Sequence, residues 1–388
     1  MKRKICVVVT ARASYARIKS VLREIKNNPE LELQLILGAS LLLDRYGTAA
    51  NIIEGDGFQA SAHVYMVLEG ENPITMAKTT GIGLLELPTI FNDLKPDIVL
   101  TVADRYETIA TAISASYMNI PVAHIQGGEI TGSIDEKVRH AVTKLSNFHF
   151  VANKNCAERV IQMGENPETV FATGCPSIDI AAEVLKNPKL DFELFTKYGG
   201  VGPTFDTKNG YIIVMQHPVT TEYDSALEQI NQTLMAIYEL KIPTLWFWPN
   251  IDAGSDLVSK GIRVFREKYH PEFIHFFKNM APEDFLKLLY NSKCIVGNSS
   301  AGIRESSFLG IPSVNIGTRQ RGRERGRNVV DVDCSKDRIK SAIKKQIGNG
   351  KYPQEYIYGD GTAGKRIATI LTEIDLKKKE KAFYQLKI

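Results

Sequence analysis

The chain has 388 residues, a length that predicts two domains. Hydrophobic residues make up 44% of it and charged residues 24%, which is typical of folded globular proteins and excludes disordered, collagen-like and coiled-coil chains. Lysine and arginine number 48 against 44 aspartates and glutamates, and the resulting net charge of +4 is too small to indicate a nucleic-acid-binding protein.

The cysteines and the first residues bear on the compartment. Five cysteines are present, an odd number, without a C-x-x-C pair or zinc-finger spacing, so we expect free thiols in a reducing cytoplasm. The apolar run at residues 5–10 is too short for a signal-peptide core or a membrane span. It predicts a first buried strand, and we expect a cytoplasmic protein without a membrane partner.

Strands and helices alternate through the first half of the chain. After the first strand, apolar residues at positions 18, 21, 22 and 25 have helical spacing. The further predicted strands are residues 31–37, 97–103, 121–126, 148–152 and 170–173. The further predicted helices are residues 109–118, 136–146, 156–163 and 178–185. This alternation is typical of parallel βαβ units in a doubly wound sheet.

Residues 186–210 interrupt the alternation because glycine and proline accumulate there, as in an interdomain linker. Beyond it, the predicted strands are residues 211–216, 244–248, 273–277, 294–297, 313–316 and 329–332. The predicted helices are residues 225–240, 256–269, 282–290, 302–309, 337–347 and 364–371. The second half therefore repeats the architecture of the first.

The predicted fold class is α/β, with two Rossmann-like doubly wound domains facing a central cleft. We expect residues 1–186 to form the N-terminal domain and residues 205–364 the C-terminal domain, with a final helix at about 365–388 packing back on the first domain. The chain has no G-x-x-x-x-G-K-[ST] loop, no G-x-G-x-x-G after its first strand and no H-E-x-x-H. A kinase, a simple NTPase and an ordinary NAD dehydrogenase are therefore disfavoured, and there is no zinc-protease motif.

Polar residues follow the strands of the first half, at the edge where doubly wound sheets bind ligands. Asp104 and Arg105 come directly after the strand predicted at residues 97–103. A carboxylate beside an arginine there can act as a base or a substrate anchor. It can equally be a helix cap with an exposed neighbour, and the position alone leaves both interpretations open.

The segment His124-Ile-Gln-Gly-Gly-Glu129 follows the next strand, and its two glycines would let the backbone approach a ligand closely. Asp135 lies beyond this loop, and Arg139 comes one helical turn later. Asp135 can also simply cap the following helix. Three carboxylates at two adjacent strand ends nevertheless favour sugar chemistry, which uses such groups as acid, base or cation stabiliser.

Three strand ends of the second half carry further candidates. His217 follows the strand at residues 211–216, and Asn250 and Asp252 follow the next strand, all facing the expected cleft. After the strand at residues 294–297, Ser299 and Ser300 begin a helix. Hydroxyls and free backbone N–H groups at such a position suit a diphosphate, and this role is compatible with simple helix capping.

Two charged features complete the second half. Glu305, one turn into that helix, could accept hydrogen bonds from a ribose. Residues 318–327 contain five arginines in ten positions. They could be a solvated basic loop or an RNA-binding segment, but their place between two predicted strands favours a local anionic ligand.

Taken together, these motifs resemble the hydrolysing UDP-N-acetylglucosamine 2-epimerases of sialic-acid pathways, including the epimerase domain of the bifunctional animal enzyme. The resemblance runs nearly end to end. It rests on Arg12-Ala-Ser-Tyr15, Asp104-Arg-Tyr-Glu107, His124-Ile-Gln-Gly-Gly-Glu129, Ile134-Asp-Glu, Arg139-His-Ala-Val-Thr-Lys144, His217-Pro-Val-Thr-Thr221, Pro249-Asn-Ile-Asp-Ala-Gly-Ser255, Gly297-Asn-Ser-Ser-Ala-Gly302 and Arg319-Gln-Arg-Gly-Arg323.

The resemblance implies a glycosyltransferase-B-like fold in which the second domain holds most of UDP. It also implies that UDP-GlcNAc and water give N-acetylmannosamine and UDP, as the first step of sialic-acid synthesis. The C2 proton leaves with UDP to form a 2-acetamidoglucal, water adds at C1, and a proton returns to the opposite face of C2. No metal or redox cofactor is implied, and the relatives suggest a homodimer or homotetramer.

The resemblance also implies residue roles. Asp104 and Asp135 would be the acid and base carboxylates, and His217 and Arg139 would assist the sugar and the leaving diphosphate. The serines would contact phosphate, Glu305 the ribose, and arginines would form a positive wall. The implied catalytic set is Asp104, Gln126, Glu129, Asp135 and His217, and the implied substrate-binding set is Arg12, Arg17, Arg105, Arg139, Asn250, Asp252, Ser299, Ser300, Glu305 and Arg321.

The chain departs from the family pattern at two positions. Many relatives have an acidic residue in place of Ser14, and many have a catalytic glutamate in place of Gln126. Since an amide cannot abstract a proton, either Asp104, Asp135 or Glu129 takes over that role, or the enzyme is slower or acts on another sugar. UDP-2,4-diacetamido-2,4,6-trideoxyglucose, from the legionaminic acid pathway, is the alternative substrate.

Two rival hypotheses remain. A UDP-sugar glycosyltransferase would present the same UDP-binding half, but the carboxylate-rich first domain and the apparent lack of an acceptor-binding insertion disfavour it. An RNA-binding protein could use the arginine loop, but aromatic residues do not interleave with the basic ones there. We therefore expect a UDP-sugar as the ligand and no nucleic acid.

Overall fold

The computed structural model describes residues 2–43, 49–102, 105–250, 252–376 and 380–386. Within these residues, two wholly parallel β-sheets of seven and six strands form the framework of the molecule. The first sheet comprises β1 (Arg3–Val9), β2 (Leu31–Gly38), β3 (Ala62–Val64), β4 (Ile98–Val102), β5 (Val122–Ile125), β6 (Phe148–Val151) and β7 (Val170–Ala172). The second comprises β8 (Ile212–Met215), β9 (Thr244–Phe247), β10 (Ile274–Phe277), β11 (Cys294–Gly297), β12 (Ser313–Ile316) and β13 (Val329–Val332).

Helices cover both sheets. Those that follow the first seven strands are α1 (Arg12–Ala16), α2 (Lys19–Asn27), α3 (Ala49–Gly55), α4 (Pro73–Leu94), α5 (Thr108–Tyr117), α6 (Ile134–Leu145), α7 (Lys154–Gln162) and α8 (Pro176–Lys186). The remaining helices are α9 (Leu194–Tyr198), α10 (Ala226–Leu240), α11 (Ser255–Tyr269), α12 (Pro282–Asn291), α13 (Arg304–Leu309), α14 (Lys336–Asn349) and α15 (Ala363–Glu373). None of the described helices combines the length and apolar composition that crossing a bilayer requires.

The core lies on both faces of each sheet, as the period-two geometry of strands requires. In β1, Ile5 and Val7 belong to one buried cluster, which also contains Ile367 and Leu371 of α15. Cys6 lies in the cluster on the other face. Because both faces are covered, the strands appear in the sequence as continuous apolar runs.

The strand orders are β3-β2-β1-β4-β5-β6-β7 and β10-β9-β8-β11-β12-β13. In each sheet the chain therefore moves outward in one direction, returns to the middle and then moves outward in the other. The switch point, at which the direction of the strand order reverses, lies between β1 and β4 in the first sheet and between β8 and β11 in the second. Ligands of doubly wound sheets bind at such a point, beyond the carboxyl ends of the strands.

The predicted α/β class with two Rossmann-like units is confirmed, and the predicted strands lie within two residues of their observed bounds. Strand β3 and helix α4 were not predicted, although α4 spans 22 residues. Helix α4 contains Pro88 and has apolar residues around much of its circumference, so the usual amphipathic pattern is weak. The helix predicted at residues 302–309 is divided, since a 3-10 turn at Ser300–Gly302 precedes α13.

The glycine-rich segment between the sheets packs tightly against β10. Val201 forms an antiparallel bridge with Phe276. Added Cβ atoms would lie 2.4 Å from His275 Nε2 at Gly200 and 2.4 Å from the Ile274 carbonyl oxygen at Gly202. These glycines therefore allow close backbone contact.

The C-terminal segment lies against the first sheet's edge. Lys381 Nζ is 2.6 Å from the buried Glu165 carboxylate, which also contacts His149 at 3.0 Å and Lys144 at 2.6 Å. The ring of Phe383 covers Gly164, where a Cβ would lie 2.2 Å from the ring. The segment 380–386 is thus held by an ionic cluster and one aromatic contact.

Candidate functional site

The two switch points face each other across a cleft that residues of both domains line. Helix α1, which begins at Arg12, follows β1, and the segment beginning at Arg105 follows β4. On the opposite side, His217 follows β8, and Ser299 and Ser300 follow β11. The polar side chains that line the cleft are those of Arg12, Arg17, Ser177, His217, Asn250, Ser299, Ser300 and Glu305.

The basic wall of the cleft joins the two domains. Arg17 Nη2 donates to Ser300 Oγ at 2.9 Å, and Arg12 Nη2 donates to Asn250 Oδ1 at 3.2 Å. Burial, together with the nearby charge of Arg105, lowers the pKa of Arg12 to about 10. Arg12 therefore remains cationic at neutral pH, and the wall suits an anionic group.

His217 is neutral in this environment. Burial and the positive charges of Arg319, Arg12, Arg105 and Arg17 lower its pKa well below the usual value of 6.5. The backbone N–H of Asn250 donates to Nδ1 at 3.2 Å, so the ring proton is on Nε2. His217 can therefore donate a hydrogen bond from Nε2.

Glu305 gives the cleft an acceptor. Its side chain is buried, lines the cleft, and has an Oε2 atom without a hydrogen-bond partner among the described residues. Phe247, Met280 and Phe285 line the same cleft. An apolar ring could pack against these three side chains, while neighbouring hydroxyl groups of the same ligand donate to Glu305.

Glu129 forms a clamp between the domains. Its Oε2 atom lies 2.6 Å from Arg304 Nη2 and 3.0 Å from Arg323 Nη2, and all three side chains are buried. Burial alone would raise the pKa of Glu129, but Arg304, Arg323 and Arg139 outweigh it and lower the pKa to about 2. Glu129 is therefore a permanently ionised group, and it is absent from the cleft lining.

Asp135 and Arg139 lie on helix α6. Asp135 is in its first turn, where the helix dipole favours a carboxylate, and its Oδ2 atom lies 3.5 Å from Arg319 Nη2 of the other domain. Arg139 is fully buried and donates to the Glu129 carbonyl oxygen at 2.7 Å and to Thr131 Oγ1 at 3.3 Å. Arg139 thus holds the loop that precedes Asp135.

Gln126 has a left-handed backbone, with φ of +69°, and is fully buried. Its Nε2 atom donates to Cys175 Sγ at 2.7 Å, and its Oε1 atom has no partner among the described residues. Because Gln126 does not line the cleft, its amide lies behind the cleft wall.

Arg105 and Asp252 form a second contact between the domains. Arg105 Nη1 lies 3.0 Å from Asp252 Oδ1, and its Nε atom lies 2.7 Å from Glu107 Oε1. Burial would lower the pKa of Arg105, but the two carboxylates outweigh it and raise the pKa well above its usual value. Neither Arg105 nor Asp252 lines the cleft.

Not every residue expected from the sequence can be placed in the cleft. Asp104 lies outside the described residues. Arg321 is exposed and is not among the cleft-lining residues. Arg304, which pairs with Glu129, was not singled out from the sequence, although it lies in the segment after β11. Ser177, which follows β7 and lines the cleft, was not singled out either. In the part of the chain that the structure describes, no group of three His, Cys, Asp or Glu side chains could hold a metal ion.

Comparisons with known proteins point to one family. The family model described as UDP-N-acetylglucosamine 2-epimerase matches residues 23–372. A Legionella pneumophila protein named UDP-N,N'-diacetylbacillosamine 2-epimerase (hydrolyzing) is 34% identical over 97% of this chain and 97% of its own. A Neisseria meningitidis protein named UDP-N-acetylglucosamine 2-epimerase is 32% identical over 96% of this chain and 95% of its own.

Solved structures share the fold. The Neisseria meningitidis UDP-GlcNAc 2-epimerase bound to UDP-GlcNAc superposes with a TM-score of 0.79 at 19% identity, covering 96% of this chain and all of the other. The Methanocaldococcus jannaschii UDP-GlcNAc 2-epimerase in complex with UDP-GlcNAc and UDP gives a TM-score of 0.78 at 18% identity, covering 95% and 99%. These similarities bear out the glycosyltransferase-B-like arrangement of the two domains.

Proposed function

The chain belongs to the UDP-N-acetylglucosamine 2-epimerase family, and we propose that it is a hydrolysing 2-epimerase converting UDP-GlcNAc and water to N-acetylmannosamine and UDP. The observation that carries the proposal is the cleft between the two switch points. There, cationic Arg12 and Arg17 line the cleft from the first domain. Neutral His217 and the hydroxyls of Ser299 and Ser300 line it from the second domain. These groups match the charge and hydrogen-bonding needs of a nucleoside diphosphate.

The UDP half of the substrate occupies the second domain's side of the cleft in this proposal. Ser299, Ser300 and Arg17 bind the diphosphate, and the open Oε2 atom of Glu305 accepts hydrogen bonds from the ribose hydroxyls. The apolar wall that includes Phe247 and Phe285 packs against the base.

Departure of UDP is the step that the basic wall assists. As the C1–O bond breaks, negative charge develops on the β-phosphate. Arg12 and Arg17 stabilise that charge, and the Nε2–H group of His217 donates to it without needing to ionise. Donors that are already positioned and shielded from water stabilise such a transition state strongly.

Proton transfer at C2 is assigned to Asp135 and Asp104. Asp135 would exchange a proton with C2 on one face of the sugar, and Asp104 would do so on the opposite face. One exchange precedes the addition of water at C1, and the other follows it. Glu129 is a poor candidate because two arginines hold its pKa at about 2. Gln126 has no carboxylate to accept a proton, and its side chain is fully buried.

Four other predicted residues have supporting roles in this proposal. Arg139 orients the loop before Asp135, and Arg105 with Asp252 holds the two domains together around the cleft. Exposed Arg321 remains a proposed part of the positive surroundings of UDP.

Incubation of the purified protein with UDP-GlcNAc alone tests the proposal. We expect UDP and N-acetylmannosamine in equal amounts, detected by NMR, with deuterium at C2 when the solvent is heavy water. Asp135→Asn should reduce kcat at least a hundredfold, which is typical of losing a general acid or base. UDP-N-acetylmannosamine without UDP release would exclude hydrolysis, and UDP release only with an added acceptor would indicate a glycosyltransferase.

A second candidate substrate is UDP-2,4-diacetamido-2,4,6-trideoxyglucose. It is favoured by the name of the Legionella pneumophila relative, which matches 97% of this chain, and by the amide at Gln126. Parallel measurements of kcat/KM with both sugar nucleotides distinguish the candidates. A value at least tenfold higher for the diacetamido sugar would replace UDP-GlcNAc as the proposed substrate.

A further inference from the structure

Three residues form a hydrogen-bonded chain that leads from the buried interior to the cleft. Gln126 Nε2 lies 2.7 Å from Cys175 Sγ, and Cys175 Sγ lies 3.1 Å from Ser177 Oγ. Gln126 and Cys175 are fully buried, whereas Ser177, in the first turn of α8, lines the cleft. These two hydrogen bonds therefore connect the buried amide of Gln126 with the Ser177 hydroxyl on the cleft wall.

The chemistry of the groups sets the direction of the first of these two hydrogen bonds. The amide Nε2 of Gln126 can only donate, so Cys175 Sγ accepts there. The thiol keeps its own proton, and either Cys175 Sγ or Ser177 Oγ can donate in the contact between them. Where the thiol donates, the Ser177 hydroxyl accepts and keeps its own proton for a different partner.

We propose that Ser177 donates its hydroxyl proton to an oxygen of the bound nucleotide, and that Gln126 and Cys175 are positioning residues that fix it as a donor. The inference rests on the proposed function, because it requires UDP in this cleft. No proton is transferred along the chain; only the orientation of the hydroxyl is set.

The position of Ser177 places this contact at the nucleoside part of the substrate. Ser177 and Glu305, the proposed ribose acceptor, line the same cleft, and α8 packs against α13, which carries Glu305. Asp135, the proposed catalytic carboxylate, is absent from this lining. The contact is therefore present in the ground state and the transition state alike, so its loss should raise KM and leave kcat unchanged.

The amide at position 126 is needed for this orientation. A glutamate there would accept the thiol proton, so Cys175 could no longer donate to Ser177. The Ser177 hydroxyl would then turn to donate to sulfur, and the nucleotide would lose its donor. Gln126→Glu should thus have the same effect on UDP binding as removal of the hydroxyl.

A double-mutant cycle with UDP binding as the readout tests the inference. By titration calorimetry, we expect the Kd for UDP to rise about tenfold in Ser177→Ala and about threefold in Cys175→Ala. Because Cys175 acts only through Ser177, the double variant should match Ser177→Ala. Cys6→Ala removes another fully buried thiol, which belongs to a different core cluster from Cys175, and should leave the Kd unchanged.

The outcomes separate the two proposals. If the unmodified protein does not bind UDP, the proposed function fails. If it binds UDP but Ser177→Ala and Gln126→Glu bind equally well, the inference fails and the proposed function stands. Additive effects of the Cys175 and Ser177 substitutions would also overturn it, as would a fall in kcat at constant KM. Thermal unfolding of each variant identifies losses of UDP binding that come from misfolding.

Discussion

Arg17 Nη2 donates to Ser300 Oγ at 2.9 Å, and this hydrogen bond joins the segment after β1 in one domain to the turn after β11 in the other. An anion in the proposed diphosphate site would contact both groups. We expect Arg17→Ala to raise the Kd for UDP about a hundredfold, because a charge-assisted contact is lost.

Arg17→Lys keeps the charge but loses the planar fork, so we expect a rise in Kd of about tenfold. Both values come from titration of the purified variants with UDP. An unchanged Kd in Arg17→Ala would remove Arg17 from the proposed diphosphate site.

The clamp between Glu129 and the arginines of the second domain gives a prediction about stability. Glu129→Gln removes the carboxylate charge that both buried Arg304 and buried Arg323 contact, so we expect the free energy of unfolding to fall by about 3 kcal/mol. Chemical denaturation measures this change. Glu158→Gln, at an exposed glutamate 3.8 Å from Lys154, is the matched control and should have little effect.

The same variant separates a clamp from a catalytic base. If Glu129 only holds the domains, kcat in the folded Glu129→Gln protein should fall less than tenfold, far less than in Asp135→Asn. A hundredfold loss of kcat with unchanged stability would instead make Glu129 the catalytic base.

Much of the fold could be predicted because buried parallel strands are continuous apolar runs, and the polar residues that follow them must lie at one edge of a sheet. His217 and Ser300 were located in this way, and both line the cleft. Helix α4 escaped prediction because its apolar residues do not form a single stripe. Periodicity detects one buried face, and α4 does not show a clear one.

The partners of the charged residues could not be predicted. Glu129 and Asp135 have similar places in the sequence, but Glu129 meets Arg304 and Arg323 deep between the domains. Asp135 instead begins a helix and lies beside Arg319. Which arginine faces which carboxylate depends on how the two sheets dock, and sequence spacing within either half carries no information about that contact.

The domains approach each other closely at Gly132, where an added Cβ would lie 2.1 Å from the Thr318 carbonyl oxygen. Gly132→Ala must therefore push the loop that carries Arg319 away from Asp135. We expect kcat to fall at least tenfold and the free energy of unfolding to fall by about 1 to 3 kcal/mol. The Kd for UDP should change less than threefold, because most proposed UDP contacts lie in the second domain.

Gly81→Ala is the control for Gly132→Ala. Gly81 lies inside α4, where an added Cβ meets nothing within 4 Å. Alanine there should stabilise the protein by about 0.5 to 1 kcal/mol and leave kcat unchanged. Equal kcat values for Gly132→Ala and the unmodified protein would show that the loop contact does not position Asp135.

The depressed pKa of His217 predicts a specific pH dependence of stability. In the folded protein the ring stays neutral well below pH 6.5, whereas in the unfolded chain it takes up a proton near pH 6.5. The unfolded state therefore binds more protons at lower pH. The contribution of His217 to the free energy of unfolding is fully present above pH 6.5, and it is lost as the pH falls from 6.5 toward the pKa of His217 in the folded state.

Comparison with His217→Gln isolates this contribution from those of other groups. Between pH 6 and pH 5, the free energy of unfolding of the unmodified protein should fall more steeply than that of the variant, by about 1.4 kcal/mol per pH unit. Urea denaturation at each pH measures the difference. Parallel curves for the two proteins would mean that His217 takes up its proton at the same pH in the folded and unfolded states, and the depressed pKa would then be wrong.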